Sequence, residues 1–304
     1  IMYLPFDTQR EVKQFYREYE PEIAVLVRYE LWYNLLRIGQ QNGTLFYLVN
    51  ARFNQGHFLF KWYAKPYQRL LKKFQQVFVS DNVTVANLNQ AGFNNVTYVG
   101  DTRFDAFNEK KNEAPLFPKI EAFIGDQPTL ILGSSWEEEE IILEDALKSS
   151  LRGIKMILAP HEVNRSEAII NRFKEHHPVL YSEYQNQETN ILVINNIGML
   201  SALYQYAQFA FVGGGFSGKL HNTIEPAVWG NLIAFGPKIS KFSEAQSFEK
   251  EGFALKIESG KELKIWIETH LNNPNLKDEK KRTALSFVEN NLGANAQIAS
   301  KLKL

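Results

Sequence analysis

The sequence predicts an α/β protein built from two doubly wound, Rossmann-like domains facing a cleft, and three observations predict it. Short, nearly continuous apolar runs recur along the chain. Amphipathic stretches of helix length separate them. One charged, proline-bearing segment interrupts the alternation and divides it in two. A strand covered on both faces of a parallel sheet reads as an unbroken apolar run. Its return to the next parallel strand needs a crossover, usually a helix.

The apolar runs are "IAVLV" (23–27), "LFYLV" (45–49), "VFVS" (77–80), "VTYVG" (96–100), "TLILG" (129–133), "KMILA" (155–159), "ILVI" (191–194), "FAFVG" (209–213) and "LIAFG" (232–236). Helical patterns between and after them include 136–150, 165–176 and 278–293. The interruption is "EKKNEAPLFPKIEAF" (109–123), with Pro115 and Pro118, and the pattern restarts at "PTLILGSS". This gives a first domain over 1–114, a second over 115–285, and a terminal helix over 286–304 that is expected to pack back on the first. The first domain is short by several strands. The opening "IMYLPFD" reads like an interior strand and turn, so the natural start is expected upstream of Ile1.

Composition narrows the function. A hydrophobic fraction of 44% supports a packed core rather than disorder. Lys plus Arg equals Asp plus Glu at 34 each, so there is no global basic field and a nucleic-acid scaffold is disfavoured. The absence of cysteine excludes disulfides, thiolate metal sites and cysteine nucleophiles. No apolar run reaches the roughly 20 residues needed to span a bilayer.

Three strand ends carry chemistry. In "LILGSSWEEEE" a buried strand leads through Ser134 and Ser135 into an acidic helix start. That pattern fits helix capping, and an uncovered helix N-terminus also suits an anion. The four glutamates 137–140 match the helix dipole, and most are expected to be solvated. In "ILAPHEVNR" the residues His161, Glu162 and Arg165 follow a strand end, where such folds bind ligands. Arg165 suits a phosphate or carboxylate; the plainer alternative is a surface ion pair with Glu162. The strongest segment is "GGGFSGKLHNTIEPAVWGNLIAFGP" (213–237). Gly213, Gly214 and Gly215 permit positive φ or close approach of backbone to a ligand. A helix is then expected, with His221, Asn222 and Glu225 at its start. Glu225 could accept hydrogen bonds from ribose hydroxyls.

That last segment resembles the "GGS…GGHNxxEPaa…vlfGP" segment of the bacterial 3-deoxy-D-manno-octulosonic acid (Kdo) transferases, a GT-B glycosyltransferase family. Other segments match in order along essentially the whole chain. "RYELWYNLL" (28–36) resembles "ETELWPNLL", "VNAR" (49–52) resembles "vNARlS", and "VGDTRFD" (99–105) resembles "GNlKFD". "GSSWEEEE" resembles "GSTHeGEE", and "APHEVNR" resembles "vPRHpeR". The departures are specific. The family's His of "GSTH" is Trp136, its Arg of "RHPER" falls at Pro160, its first Glu of "ETELW" is Arg28, and its Lys of "GNLKFD" is Arg103. Lys219 and Leu220 replace the glycine doublet before "HN".

The resemblance implies transfer of Kdo from CMP-Kdo to a lipid A precursor, in lipopolysaccharide biosynthesis at the cytoplasmic face of the bacterial inner membrane. No cofactor or metal is expected, since no Asp-x-Asp or zinc-spaced cluster occurs. It assigns the substrate groups to Arg52, Arg103, Ser134, Ser135, His161, Arg165, Gly213, Gly214, Gly215, His221, Asn222 and Glu225. Glu30 is kept as a supporting carboxylate. The family's catalytic base sits in a "SvGE" loop near its N-terminus. No such motif occurs here, so the base is expected upstream and this chain alone is expected to transfer poorly. The segment "FLFKWYAKPYQRLLKKF" (58–74) interleaves Lys61, Lys65, Arg69, Lys72 and Lys73 with aromatic residues and suits a lipid interface; the plainer alternative is a core helix with a solvated basic face. Two rivals remain: another GT-B enzyme using a UDP-sugar, transferase or epimerase, and a non-catalytic nucleotide-binding module.

Overall fold

The computed structural model describes residues 3–302. Among them the chain runs α1 (Gln9–Tyr19), β1 (Ile23–Val27), α2 (Tyr33–Gln41), β2 (Leu45–Ala51), α3 (Lys65–Leu71), β3 (Gln76–Val79), α4 (Asn82–Gln90), β4 (Val96–Tyr98) and α5 (Thr102–Asn112). It continues with α6 (Pro118–Ile124), β5 (Thr129–Ser135), α7 (Glu137–Lys148), β6 (Lys155–Pro160), α8 (Ser166–Arg172), β7 (Val179–Leu180), β8 (Ile191–Val193), α9 (Leu200–Leu203) and β9 (Phe209–Val212). The last part is α10 (Ile224–Ala227), β10 (Leu232–Phe235), α11 (Ser243–Glu251), β11 (Ala254–Lys256), α12 (Gly260–Leu271), α13 (Pro274–Glu289) and α14 (Ala294–Lys301). Every apolar run singled out in the sequence became a strand. The two strands without such a run, β7 and β11, are only two and three residues long.

The chain forms two compact units, one of residues 1–105 with 291–304 and one of residues 106–290. The first division falls inside α5, ahead of the proline-rich stretch that suggested 114/115. Lys111 explains why: its ammonium donates to the Val228 carbonyl at 2.8 Å and lies over the Trp229 ring, so this turn of α5 is held by the second unit. The second division lies just after α13, at 290/291 rather than 285/286.

The first unit holds a parallel sheet in the order β1-β2-β3-β4. Tyr16 of α1 donates to the Leu35 carbonyl of α2 at 3.1 Å. Its phenol lies where a Cβ on Gly39 would be, so α2 needs glycine there. The start of α2 has no side-chain cap of its own. Asp7 supplies one from outside the helix, accepting the N–H groups of Asn34 and Leu35 at 3.1 and 2.8 Å. The opening segment therefore acts as a cap and not as a strand; Ile1 and Met2 lie outside the described residues. Ile298 of α14, and Leu302 just past its end, pack against Tyr47, Phe78 and Val99, and Asp105 caps the helix start through Gly293 and Asn295.

The 58–74 segment is not one helix. It makes two 3-10 turns and then α3, whose first turn carries Pro66. Leu59, Ala64, Leu70 and Leu71 are buried, whereas Trp62 is 83% and Tyr63 57% exposed.

The second unit holds a parallel sheet in the order β11-β10-β9-β5-β6-β8-β7. The chain winds outward from β5 through β6 to β7 and β8, then returns to place β9 on the other side of β5. Leu130 pairs with Phe209 and Gly133 with Val212 across that seam. The core lies on both faces of this sheet, with α7, α8 and α12 on one and α6, α9 and Tyr204 on the other.

Candidate functional site at the β5–β9 switch point

The order of winding reverses between β5 and β9. In open parallel sheets the crevice beyond the carboxyl ends of two such strands is where ligands bind, because the flanking loops diverge there. Here those ends are Gly133–Ser135 and Val212–Gly215. Ser134 turns the chain with φ of +53°, and the register of β5 against β6 shifts between Gly133 and Ser135. A non-glycine residue in the left-handed region is uncommon and marks a constrained turn.

Ser134 and Ser135 do not cap α7. The cap position belongs to Trp136, whose N–H donates to Glu139 Oε2 at 3.1 Å. Ser135 is buried and its hydroxyl donates to Glu140 Oε1 at 3.2 Å. The expectation that most of the four glutamates are solvated fails for two of them: Glu139 and Glu140 are buried. The reason is tertiary, since each meets a partner from a distant segment. Glu139 Oε1 accepts the Gly214 N–H at 2.8 Å. Glu140 Oε2 takes Arg165 at 2.7 Å, so Arg165 pairs with this buried carboxylate and not with Glu162. Burial raises the pKa of both carboxyls; hydrogen bonds from Trp136 and Gly214 oppose it at Glu139, and Arg165 opposes it at Glu140. Glu137 stays at the surface and pairs with Arg172 at 2.8 Å.

The glycines bring backbone against backbone rather than opening a space for a ligand. Gly213 donates to the Gly133 carbonyl at 2.9 Å, and a Cβ on it would strike the Ser134 carbonyl. Gly214 has φ of +86°, and its N–H is taken by Glu139. Two of the three glycine amides are therefore spent inside the protein. Gly215 lies against Gly236 of the neighbouring loop.

Three aromatic rings stand together at the crevice. His161 follows β6, and its N–H donates to the Ser135 carbonyl at 3.0 Å. Its ring centroid is 4.6 Å from that of Trp136 and 4.4 Å from that of His221. Trp136 Nε1 donates to His221 Nε2 at 3.3 Å. The contact between Trp136 and His221 joins residues that the sequence left unrelated. Its only sequence signal is the departure of Trp136 from the family's histidine.

Beyond His221 the expected helix is a single turn, α10. Asn222 Oδ1 accepts the Ile224 N–H at 3.1 Å, and Asn222 Nδ2 donates to Glu225 Oε1 at 3.1 Å. Burial raises the Glu225 pKa, against the opposing effects of Asn222, Lys110 and Ser201. The result is a half-buried carboxylate with one oxygen steadied by an amide. That arrangement suits a hydroxyl-bearing ligand.

Ser134, Ser135, His161, Arg165, Gly213, Gly214, Gly215, His221, Asn222 and Glu225 thus all lie in the second unit, around one switch point. Glu30, Arg52 and Arg103 lie in the first. Glu30 is exposed and accepts Trp32 Nε1 at 2.6 Å. Arg52 approaches Asp81 at 3.4 Å. Arg103 binds both oxygens of Asp101 through Nε, at 3.1 and 3.0 Å, and Oδ2 again through Nη2 at 2.7 Å. Burial would raise the Asp101 pKa, but the hydrogen bonds and charge of Arg103, helped by Arg28, carry it below the usual carboxylate value. Among the described residues, no group of three or more His, Cys, Asp or Glu is placed to hold a metal.

Comparison with known proteins adds to this geometry. Residues 1–106 match the family model for 3-deoxy-D-manno-octulosonic-acid transferase (kdotransferase). The 3-deoxy-D-manno-octulosonic acid transferase of Rickettsia prowazekii is 28% identical over 303 residues, covering 95% of this chain and 65% of that protein. That of Aquifex aeolicus is 26% identical over 265 residues, covering 86% of this chain and 69% of that protein. The chain spans about 65% of the length of the first of these relatives. Among solved structures, the C-terminal CMP-Kdo binding domain of WaaA from Acinetobacter baumannii matches with a TM-score of 0.50 and 20% identity, over 59% of this chain and 96% of that one. A UDP-GlcNAc 2-epimerase from Neisseria meningitidis matches with a TM-score of 0.66 and 14% identity, over 96% of this chain and 79% of that one. The shared parallel α/β fold is that of the GT-B glycosyltransferases and epimerases, and over nearly its whole length the chain is similar in sequence to Kdo transferases.

Proposed function

We propose that the chain carries the donor site and part of the acceptor side of a Kdo transferase, which moves Kdo from CMP-Kdo to a lipid A precursor. The observation that carries this reading is sequence similarity to proteins of that name over 95% of the chain. The half-buried Asn222–Glu225 pair at the switch point supports it.

In the reaction, a carboxylate takes the proton of an acceptor hydroxyl. The acceptor oxygen forms its bond to the anomeric carbon of Kdo as the bond from that carbon to the phosphate oxygen breaks. CMP leaves with the electron pair. Glu225, steadied by Asn222, holds the ribose hydroxyls of the cytidine. Arg165 and Arg103 are held by Glu140 and Asp101. The phosphate therefore depends more on the groups left open: the Ser134 hydroxyl and the rings of His161 and His221. Fixed donors of this kind stabilise developing charge without reorganising. Glu30 supports the acceptor side. The reading requires neither a metal nor a nucleic acid.

On this reading the acceptor is a glycolipid, and the proposed place of action is the cytoplasmic face of the inner membrane. The exposed Trp62 and Tyr63 beside Lys61, Lys65, Arg69, Lys72 and Lys73 support contact with anionic lipid.

A second reading, an enzyme acting on a UDP-sugar, is favoured by the TM-score of 0.66 to a UDP-GlcNAc 2-epimerase. Calorimetric titration with CMP, UMP and UDP separates the two. Tighter binding of CMP is the expected result, and preference for UDP overturns the proposal. A Kdo-transfer assay with a version of the chain extended upstream of Ile1, with and without Glu30→Gln, then reports on catalysis. Loss of transfer in the variant, with CMP affinity kept, places Glu30 on the acceptor side.

A further inference from the structure

The indole N–H of Trp136 is a donor and has no acceptor atom. Its partner at 3.3 Å is Nε2 of His221. That nitrogen must therefore carry its lone pair, and the proton of a neutral His221 must sit on Nδ1. The bond also excludes the imidazolium, because a proton on Nε2 would face the indole proton. His161, the middle ring of the stack, adds to this, since its centroid lies 4.4 Å from that of His221. Two charged rings at that distance repel. Among the described residues, Nδ1 of His221 has no hydrogen-bond partner in the protein, whereas the His221 backbone N–H is tied to the Gly213 carbonyl at 3.0 Å.

We propose that Trp136 is a positioning residue that fixes His221 as a neutral donor through Nδ1–H, reserved for an oxygen atom of the bound nucleotide-linked sugar. The inference rests on the reading of this crevice as the donor site. It concerns a residue that touches His221 and not the ligand. The stack fixes the ring plane, and the indole bond fixes the tautomer. A neutral donor of set direction selects an oxygen acceptor by geometry, without the long reach of a positive charge. Desolvation, and secondarily His161, also hold the His221 pKa below the usual imidazole value, in keeping with the geometry. His161 is the titratable group that faces His221 from the element beside it.

The test begins with the unliganded wild-type chain. Two-bond nitrogen–proton NMR spectra distinguish the tautomers and the cation. The expected spectrum shows His221 as the Nδ1–H tautomer, with a smaller imidazolium fraction at about pH 6 than a free imidazole has. An Nε2–H tautomer, or an imidazolium fraction as large as that of a free imidazole, overturns the proposal, and this arm needs no variant. Trp136→Phe keeps a ring in the stack and removes the N–H. His221 in that variant should populate both tautomers and gain its proton at higher pH than in the wild type. Unchanged spectra would overturn the proposal.

Calorimetry with CMP gives the second readout. Relative to wild type, affinity in Trp136→Phe should rise by roughly tenfold or less on going from about pH 7.5 to pH 5.5, because a newly formed imidazolium attracts the phosphate. The same pH dependence in both proteins would overturn the proposal. If CMP binds neither protein, the donor-site reading fails, while the spectra still decide the tautomer.

Discussion

Glu139 and Gly214, 75 residues apart in sequence, are joined by a 2.8 Å hydrogen bond from the glycine N–H to the buried carboxylate. The same side chain takes the Trp136 N–H at 3.1 Å. One carboxylate thus ties the β5–α7 turn to the glycine loop after β9, which are the two lips of the crevice. Replacing Glu139 by Ala leaves two backbone donors without their acceptor. The expected loss of unfolding free energy is about 2–6 kcal/mol, from roughly 1–3 kcal/mol for each buried unsatisfied group. Urea denaturation measures it.

The pH dependence of that group has a definite sign. Burial raises the Glu139 pKa, so the native state holds its proton more tightly than the unfolded state. The contribution of this group to stability is therefore present in acid and is lost as pH rises through the raised pKa. Glu139→Gln should remove this part of the slope. A stability–pH profile with the same slope in both proteins would show that Glu139 titrates like a free carboxyl.

Glu225 gives the ligand-side prediction. Glu225→Ala should weaken CMP binding by roughly 1–3 kcal/mol, through loss of charge-assisted hydrogen bonds to the ribose. The Glu225 pKa is raised by burial. Affinity in the wild type should then fall as pH drops through that pKa, because a protonated carboxyl accepts less well. Calorimetry of both proteins checks the two effects, and equal affinity in a folded variant would remove Glu225 from the site.

Tyr16 sets an alkaline limit in the first unit. Its buried phenol has a pKa raised from 10.0 to about 12 and donates to the Leu35 carbonyl. The stability it contributes is full below pH 10 and is lost as pH rises toward about 12. A shift of that size corresponds to roughly 2–3 kcal/mol. Tyr16→Phe should flatten the alkaline limb of the profile. Gly39→Ala, which places a methyl against the same phenol, should cost about 1–3 kcal/mol by overpacking.

The segment around α3 tests the membrane reading. Changing Lys61, Lys65, Arg69, Lys72 and Lys73 to Gln should weaken binding to anionic vesicles by up to about 1 kcal/mol per charge. Trp62→Ala with Tyr63→Ala should weaken it in a way that salt does not reverse, since their contribution is apolar burial. Sedimentation with vesicles at two salt concentrations reads both. Unchanged binding in both variants would return this surface to an ordinary solvated face.

What the sequence determined by itself was the periodic part of the molecule. Nine apolar runs marked nine strands, because a strand covered on both faces must be apolar at every position. The sequence also placed Ser134, His161 and Gly213 at strand ends, where parallel sheets carry their sites, and Glu225 in the helix that follows the last of them. It did not determine which groups at those ends are open to a ligand. Four consecutive glutamates look alike in sequence; the structure buries Glu139 and Glu140 because Gly214 and Arg165 arrive from later strands to meet them. The three glycines suggested room for a ligand, yet the fold fills that room with the Ser134 backbone and the glutamate cap. Trp136 stood out only as a departure from a family pattern, until β5 and β9 came together and set its N–H on His221. Periodicity is a property of neighbouring residues, and a sequence displays it. Hydrogen-bond satisfaction across a switch point depends on which distant strands become neighbours, and only the tertiary structure decides that.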